Sequence, residues 1–241
     1  MILRSATLIA LVVAIACRGR SEERSAKRGD SSIQQPASSN LPDSRPAIVF
    51  LGTSLTAGYG LGDPSLAYPA LIQAKLDSAG RAFRVVNAGL SGESSAGALD
   101  RIEWLLSRDR VAVLVVETGA NDGLRGQDPD SVRARIQSIL DRARRADPPP
   151  RLVIAGMEAI PNLGPEYVRR FRGIYPALAR ANNAALIPFL LEGVAGVDSL
   201  NQDDGIHPTA RGQRIIAETV WGVLERVTRE GREDATARPR E

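Results

Sequence analysis

One segment constrains the fold more than any other. Val111–Glu117 reads VAVLVVE, six apolar residues, four of them valine, running into an acid. Its apolar residues do not alternate with polar ones. The strand it predicts is therefore buried on both faces, as in a parallel sheet covered by helices. Four weaker runs, Ala47–Leu51, Phe83–Asn87, Leu152–Met157 and Leu186–Leu191, predict four more strands. Amphipathic stretches lie between and after them: Tyr68–Ser78, Ala96–Ser107, Asp130–Arg145, Glu166–Ala181 and Thr209–Arg229. The third shows the helical period well, with Val132, Ile136, Ile139 and Leu140 on one side and arginines on the other. Pro148-Pro149-Pro150 breaks the chain before the fourth strand. Strands alternating with helices through right-handed crossovers give a three-layer α/β/α fold. No internal repeat is visible.

The sequence has 241 residues, enough for one well-buried core and some extra chain. The extra chain is N-terminal. In residues 1–17, Arg4 supplies a positive start and Ala6–Ala16 a mostly apolar run, too short to span a bilayer comfortably. This pattern predicts a signal peptide. The run ends Ala14-Ile15-Ala16-Cys17, similar to a bacterial lipobox, in which the cysteine is lipidated and becomes the mature N-terminus. Ala14 stands where such boxes usually have leucine; the alternative is a plain signal peptide cut near Ala16. Residues 18–46 are rich in Ser, Arg, Glu, Gln and Pro and cannot bury enough surface to offset their ordering entropy. They read as a flexible linker, followed by a folded domain over 47–230 and a polar tail over 231–241.

Charge narrows the partners. The formal net charge is +3, but residues 1–46 hold seven of the 31 basic residues and four of the 28 acidic ones, so 47–241 carries 24 of each. A formally neutral domain argues against a nucleic-acid partner. The chain has one cysteine and one histidine, Cys17 and His207. An internal disulfide is impossible, a zinc site is disfavoured, and no EF-hand spacing is present.

In a parallel sheet, ligands bind beyond the carboxyl ends of the strands. Gly52-Thr53-Ser54-Leu55-Thr56-Ala57-Gly58 follows the first strand, Asn87-Ala88-Gly89-Leu90-Ser91-Gly92 the second, and Thr118-Gly119-Ala120-Asn121-Asp122-Gly123 the third. Asp203-Asp204-Gly205-Ile206-His207-Pro208 precedes the last helix. Together they supply the parts of an acyl-transfer site. A serine hydroxyl needs a base, and His207 is the only imidazole. The base needs an orienting group, and Asp204, three residues upstream, could reach its other ring nitrogen. An oxyanion needs preorganised donors, which glycine-rich turns expose; Asn121 could add a side-chain N–H.

The four blocks, in this order and spacing, resemble those of the SGNH (GDSL-type) hydrolases across essentially all of 47–228. Gly52-Thr53-Ser54-Leu55 is similar to the GDSL block, Gly89 to the second-block glycine, Gly119-Ala120-Asn121-Asp122 to GxND, and Asp204-Gly205-Ile206-His207 to DxxH. Asn121-Asp122-Gly123-Leu124-Arg125-Gly126 resembles in particular the arylesterase, acyl-CoA thioesterase I and lysophospholipase branch. The resemblance implies a flavodoxin-like, five-stranded parallel sheet of order 2-1-3-4-5 and no cofactor. It implies Ser54 as nucleophile, His207 as base and Asp204 as its partner. The oxyanion hole would be the N–H groups of Ser54 and Gly89 with the Asn121 side chain. Leu124, Arg125, Glu158, Ile160 and Pro161 would lie on loops lining an acyl groove. Thr53 departs from the family aspartate; at this place it would hydrogen-bond local backbone more weakly.

Blander readings stand beside these. Ser54 could cap a helix, Asn121 could be a left-handed turn residue, and Asp203 competes with Asp204, which motif position favours. Glu117 reads as a hydrogen-bonding structural acid, and Trp104 and Trp221 as packing residues. The expectation is an exported, lipid-tethered serine esterase acting on short-to-medium acyl, aryl or alkyl esters or lysophospholipids, with thioesters as a further capability. The rivals are a carbohydrate O-acetyl esterase and a catalytically silent binding lipoprotein.

Overall fold

In the computed structural model the described residues are 43–236, with side chains as far as Arg229. The expected signal peptide, Cys17, almost all of the expected linker and the end of the expected polar tail, 237–241, lie outside them.

Five parallel strands form one sheet in the order β2-β1-β3-β4-β5: β1 Ala47–Gly52, β2 Arg84–Gly89, β3 Val111–Val116, β4 Arg151–Ala155 and β5 Ala185–Ile187. This is the order the resemblance implies. The helices are α1 Ser54–Ala57, α2 Tyr68–Ser78, α3 Ser95–Arg108, α4 Ala120–Leu124, α5 Pro129–Arg144, α6 Pro165–Asn182 and α7 Ala210–Thr236. Helix α3 packs on α5 and α5 on α6, while α2 packs on α7. Two helical layers thus enclose the sheet.

The central strands explain the apolar runs. All six residues of β1 are buried, and Val113–Val116 of β3 are as fully enclosed. Edge strand β2 is only half-buried, which is why its sequence signal is weak. The α5 face packs as its period predicts, with Val132, Ile136, Ile139 and Leu140 buried. That helix starts at Pro129, because Asp128 accepts a hydrogen bond from the Ser131 N–H (3.0 Å) and proline suits the first turn.

Three expectations change. Strand β5 ends at Ile187 and does not reach Leu191, since Pro188 has no N–H to continue a ladder. Helix α7 continues to Thr236, past Arg229. Trp104 is 56% exposed on the outer side of α3, with the Arg108 guanidinium 4.7 Å from its ring, so it does not pack into the core. Trp221 does pack against the core, partly buried.

Candidate active site

The carboxyl ends of β1, β2 and β3 and the segment before α7 meet at one place. After β1 the chain turns at once into α1. Thr53 is the N-cap and Ser54 the first helical residue, so the serine is not itself the cap. Its Oγ lies 2.9 Å from His207 Nε2. His207 Nδ1 lies 2.6 Å from Asp204 Oδ2, while Asp204 Oδ1 accepts the backbone N–H groups of Ile206 and His207, both at 2.9 Å. The carboxylate thus fixes the turn and the imidazole together. These bonds to His207 and Ile206 hold the Asp204 carboxyl down at about 2, so it stays ionised. Of the two adjacent acids, the one meeting the ring is Asp204.

Beneath the serine lies a buried acid. Glu117, one residue past β3, accepts hydrogen bonds from the Thr53 N–H (2.8 Å), the Thr53 hydroxyl (3.0 and 3.1 Å) and the Thr56 hydroxyl (2.8 Å). Burial pushes Glu117 up to about 7, against the pull of those donors. Thr53 does touch local backbone, accepting from Leu55 N–H at 3.5 Å, but its main partner is Glu117.

The donors around the serine differ from expectation at one position. The Asn121 side chain, on the one-turn helix α4, donates one N–H to the Glu93 carbonyl (3.0 Å), leaving its second amide proton. No described residue accepts from the Ser54 N–H. Gly89 does not present a free donor: its N–H goes to Asn87 Oδ1 at 3.0 Å. The glycine is required there for packing, since a Cβ would lie 2.2 Å from the Ala57 nitrogen. Three residues on, Leu90–Glu93 forms a turn closed by Glu93 N–H to Leu90 carbonyl (3.2 Å), with Gly92 at φ +78°. That left-handed third position suits glycine, and the N–H of Gly92 is not used in the turn's own bond. No described residue accepts it.

Buried acids clamp this turn and the start of α3 beside it. The Arg101 guanidinium binds both oxygens of the buried Glu93 carboxylate (2.6 Å each) and the carbonyls of Ala88 (2.7 Å) and Gly52 (3.3 Å). The buried Asp122 carboxylate accepts the Ser95 N–H and hydroxyl, both at 2.7 Å. The sequence blocks give no hint of Arg101; only its position one helix away from two strand ends reveals it.

A groove of about 680 Å³ opens beside Ser54 and His207. Leu124, Glu158, Ile160 and Pro161 line it, joined by Met157, Phe189 and Leu191. Arg125 does not line it: its guanidinium donates to the Gly92 carbonyl (3.0 Å), bracing the turn. Glu158 is ion-paired with Arg172. Phe189 and Leu191 enter because the chain leaves β5 early at Pro188.

Residues 50–215 match the model of the GDSL-like Lipase/Acylhydrolase family. The chain is 40% identical to "Esterase TesA" of Pseudomonas aeruginosa over 178 residues, covering 74% of this chain and 87% of that protein. It is 38% identical to "Thioesterase 1/protease 1/lysophospholipase L1" of Escherichia coli over 171 residues, covering 71% and 79% respectively. A crystal structure of TesA superposes with a TM-score of 0.71 at 39% identity, over 75% of this chain and 99% of the other. With its family's sheet order and a serine, histidine and aspartate in hydrogen-bonded series, the chain belongs to the GDSL-like lipase/acylhydrolase family and is a hydrolase of ester bonds.

Proposed function

We propose that Ser54 is the nucleophile, His207 the general base and Asp204 the group that orients it. One observation carries this reading: Ser54 Oγ, His207 Nε2, His207 Nδ1 and Asp204 Oδ2 form one unbroken hydrogen-bonded series at 2.9 and 2.6 Å. Ser54 Oγ attacks the ester carbonyl carbon as its proton passes to His207 Nε2. The bond to the departing oxygen then breaks, and that oxygen takes the proton. Water repeats the sequence on the acyl-enzyme. Developing negative charge on the carbonyl oxygen meets the N–H of Ser54, the free amide proton of Asn121 and, in place of Gly89, the N–H of Gly92.

The substrates in this reading are carboxylic esters of short-to-medium acyl length, on aryl or alkyl alcohols or in lysophospholipids, with thioesters as a further capability. The mostly apolar groove lined by Met157, Ile160, Pro161 and Leu191 supports an acyl chain. An O-acetyl esterase of glycans would need several aromatic platforms, and of the two tyrosines near the motifs, Tyr59 and Tyr68, only Tyr59 is exposed. The reading extends to an exported, cell-envelope protein tethered through lipidated Cys17 and the linker 18–46. Mass spectrometry of the mature N-terminus tests that part.

The activity is tested by labelling the purified protein with a fluorophosphonate and mapping the adduct. An adduct on Ser54 that disappears in His207→Ala is the expected result. A folded protein that takes no label is a binding protein on a hydrolase scaffold, and the reading fails.

A further inference from the structure

One exposed aromatic ring has no part in the chemistry above. Tyr59 is 53% exposed, yet its ring lies against the His207 imidazole, with centroids 4.6 Å apart and planes tilted by 44°. Its backbone is fixed on both sides. The Tyr59 N–H donates to the Ser54 carbonyl (3.0 Å), and the Tyr59 carbonyl accepts from Gln202 Nε2 (2.7 Å). Gln202 Nε2 also donates to the Pro208 carbonyl (3.1 Å), and the Gln202 N–H to the His207 carbonyl (2.7 Å). Gln202 therefore ties the segment bearing Tyr59 to the segment bearing His207, so the backbone from which the ring projects is fixed relative to the imidazole.

Ser54 and His207 both line the groove; Tyr59 does not. An ester with its carbonyl carbon at Ser54 has two halves. The acyl half stays bonded to Ser54 Oγ. The departing oxygen must lie at His207 Nε2, because its proton comes from there. Whatever that oxygen carries lies beside the imidazole, and the exposed ring beside the imidazole, outside the groove, is Tyr59.

We propose that Tyr59 is the wall of a leaving-group subsite and selects flat, aromatic alcohols. The proposal rests on the esterase reading of Ser54 and His207. In the step it serves, the Ser54 Oγ–carbon bond forms as the serine proton passes to His207. The carbon–oxygen bond to the alcohol then breaks, and the same proton moves to the phenolic oxygen while the departing ring stacks on Tyr59. A sugar alcohol would ask for polar partners. Both contacts of the Gln202 amide nitrogen are spent on carbonyls, and the Asp204 carboxylate is spent on His207 and its own turn. A flat ring needs only a face.

The test compares two acetates on the full-length protein: phenyl acetate, and hexafluoroisopropyl acetate, whose alcohol is similarly acidic but not flat. The quantity read is the ratio of kcat/KM on the two. Tyr59→Leu should lower that ratio about three- to ten-fold, the size of one aromatic stack, and Tyr59→Phe should keep it. If Tyr59→Leu slows both esters equally, the ring serves only His207 and the proposal is overturned. It is also overturned if acetylated xylan loses as much as phenyl acetate in Tyr59→Leu, because the ring would then favour sugars equally. Failure of the esterase reading shows separately, as a wild-type protein that takes no fluorophosphonate on Ser54.

Discussion

Thr53 donates both its backbone N–H and its hydroxyl to the carboxylate of Glu117, and the Thr56 hydroxyl joins them. A buried acid at the end of β3 therefore grips the chain on both sides of Ser54. The Thr56 hydroxyl also meets the Tyr68 hydroxyl at 2.6 Å, extending the network to α2. The segment holding the serine is fixed from below by side chains that take no part in the reaction.

Glu117 makes stability depend on pH with a defined sign. Burial raises its folded-state value from 4.5 to about 7. Between those values the folded protein holds a proton that the unfolded chain has lost. The stabilisation is thus complete below about 4.5 and is lost as pH rises through about 7, by up to roughly 3 kcal/mol at 1.4 kcal/mol per pKa unit. Urea midpoints at pH 5.5 and 8.5 should show the wild type weaker at the higher pH, and Glu117→Gln should remove most of that difference. Equal slopes in the two proteins would show that Glu117 does not titrate in this window.

Thr53→Val keeps the branched shape and removes the hydroxyl that faces Glu117. Losing one donor to a buried carboxyl should cost about 1–3 kcal/mol. The variant should also hydrolyse esters more slowly at unchanged KM, because the Ser54 segment loses one of its supports. A melting temperature and a rate both equal to wild type would mean that the Thr53 N–H and the Thr56 hydroxyl suffice to hold Glu117.

Asp204 and Asp203 can be separated by the same substitution at each. In Asp204→Asn the side chain still accepts the turn's N–H groups, but its amide proton can face His207 Nδ1 and favour the wrong tautomer. Turnover should fall on the order of 10⁴-fold with the fold intact. Asp203→Asn should stay within a few-fold of wild type. The reverse result would exchange the roles of the two acids.

How far the sequence reaches follows from how local each feature is. Asp204 and His207 share a four-residue turn, so their spacing predicts their contact. The distance from Ser54 to His207 is long in sequence, but both stand at the carboxyl edge of one sheet, and the apolar runs give that sheet. Gly89 and Gly92 are different. They lie three residues apart, Gly89 ending β2 and Gly92 in the turn that follows, and which N–H is free depends on the Asn87 side chain, which no spacing encodes. Arg125 and Trp104 fail for a related reason. A charged or apolar residue beside a motif faces the groove, a neighbouring loop or solvent according to helix rotation, which a single short segment does not fix. Arg101 and Tyr59 carry no motif at all; one is revealed by the carbonyls it binds, the other by the ring it touches.

The oxyanion donors yield the sharpest remaining prediction. Asn121 has one amide proton on the Glu93 carbonyl and one left over, so its side chain is already oriented before substrate arrives. Removing it in Asn121→Ala should cost on the order of 10²-fold in kcat, with KM little changed, because the bond strengthens as charge develops. The backbone donors cannot be deleted so cleanly, but a covalent phosphonate on Ser54 places an oxygen where the oxyanion forms. In a crystal structure of that adduct the oxygen should lie within about 3 Å of the nitrogens of Ser54, Asn121 and Gly92. Gly89 should still donate to Asn87. An oxygen bonded instead to the Gly89 nitrogen, with the Asn87 side chain turned away, would return that role to Gly89 and make the Gly92 turn only a frame.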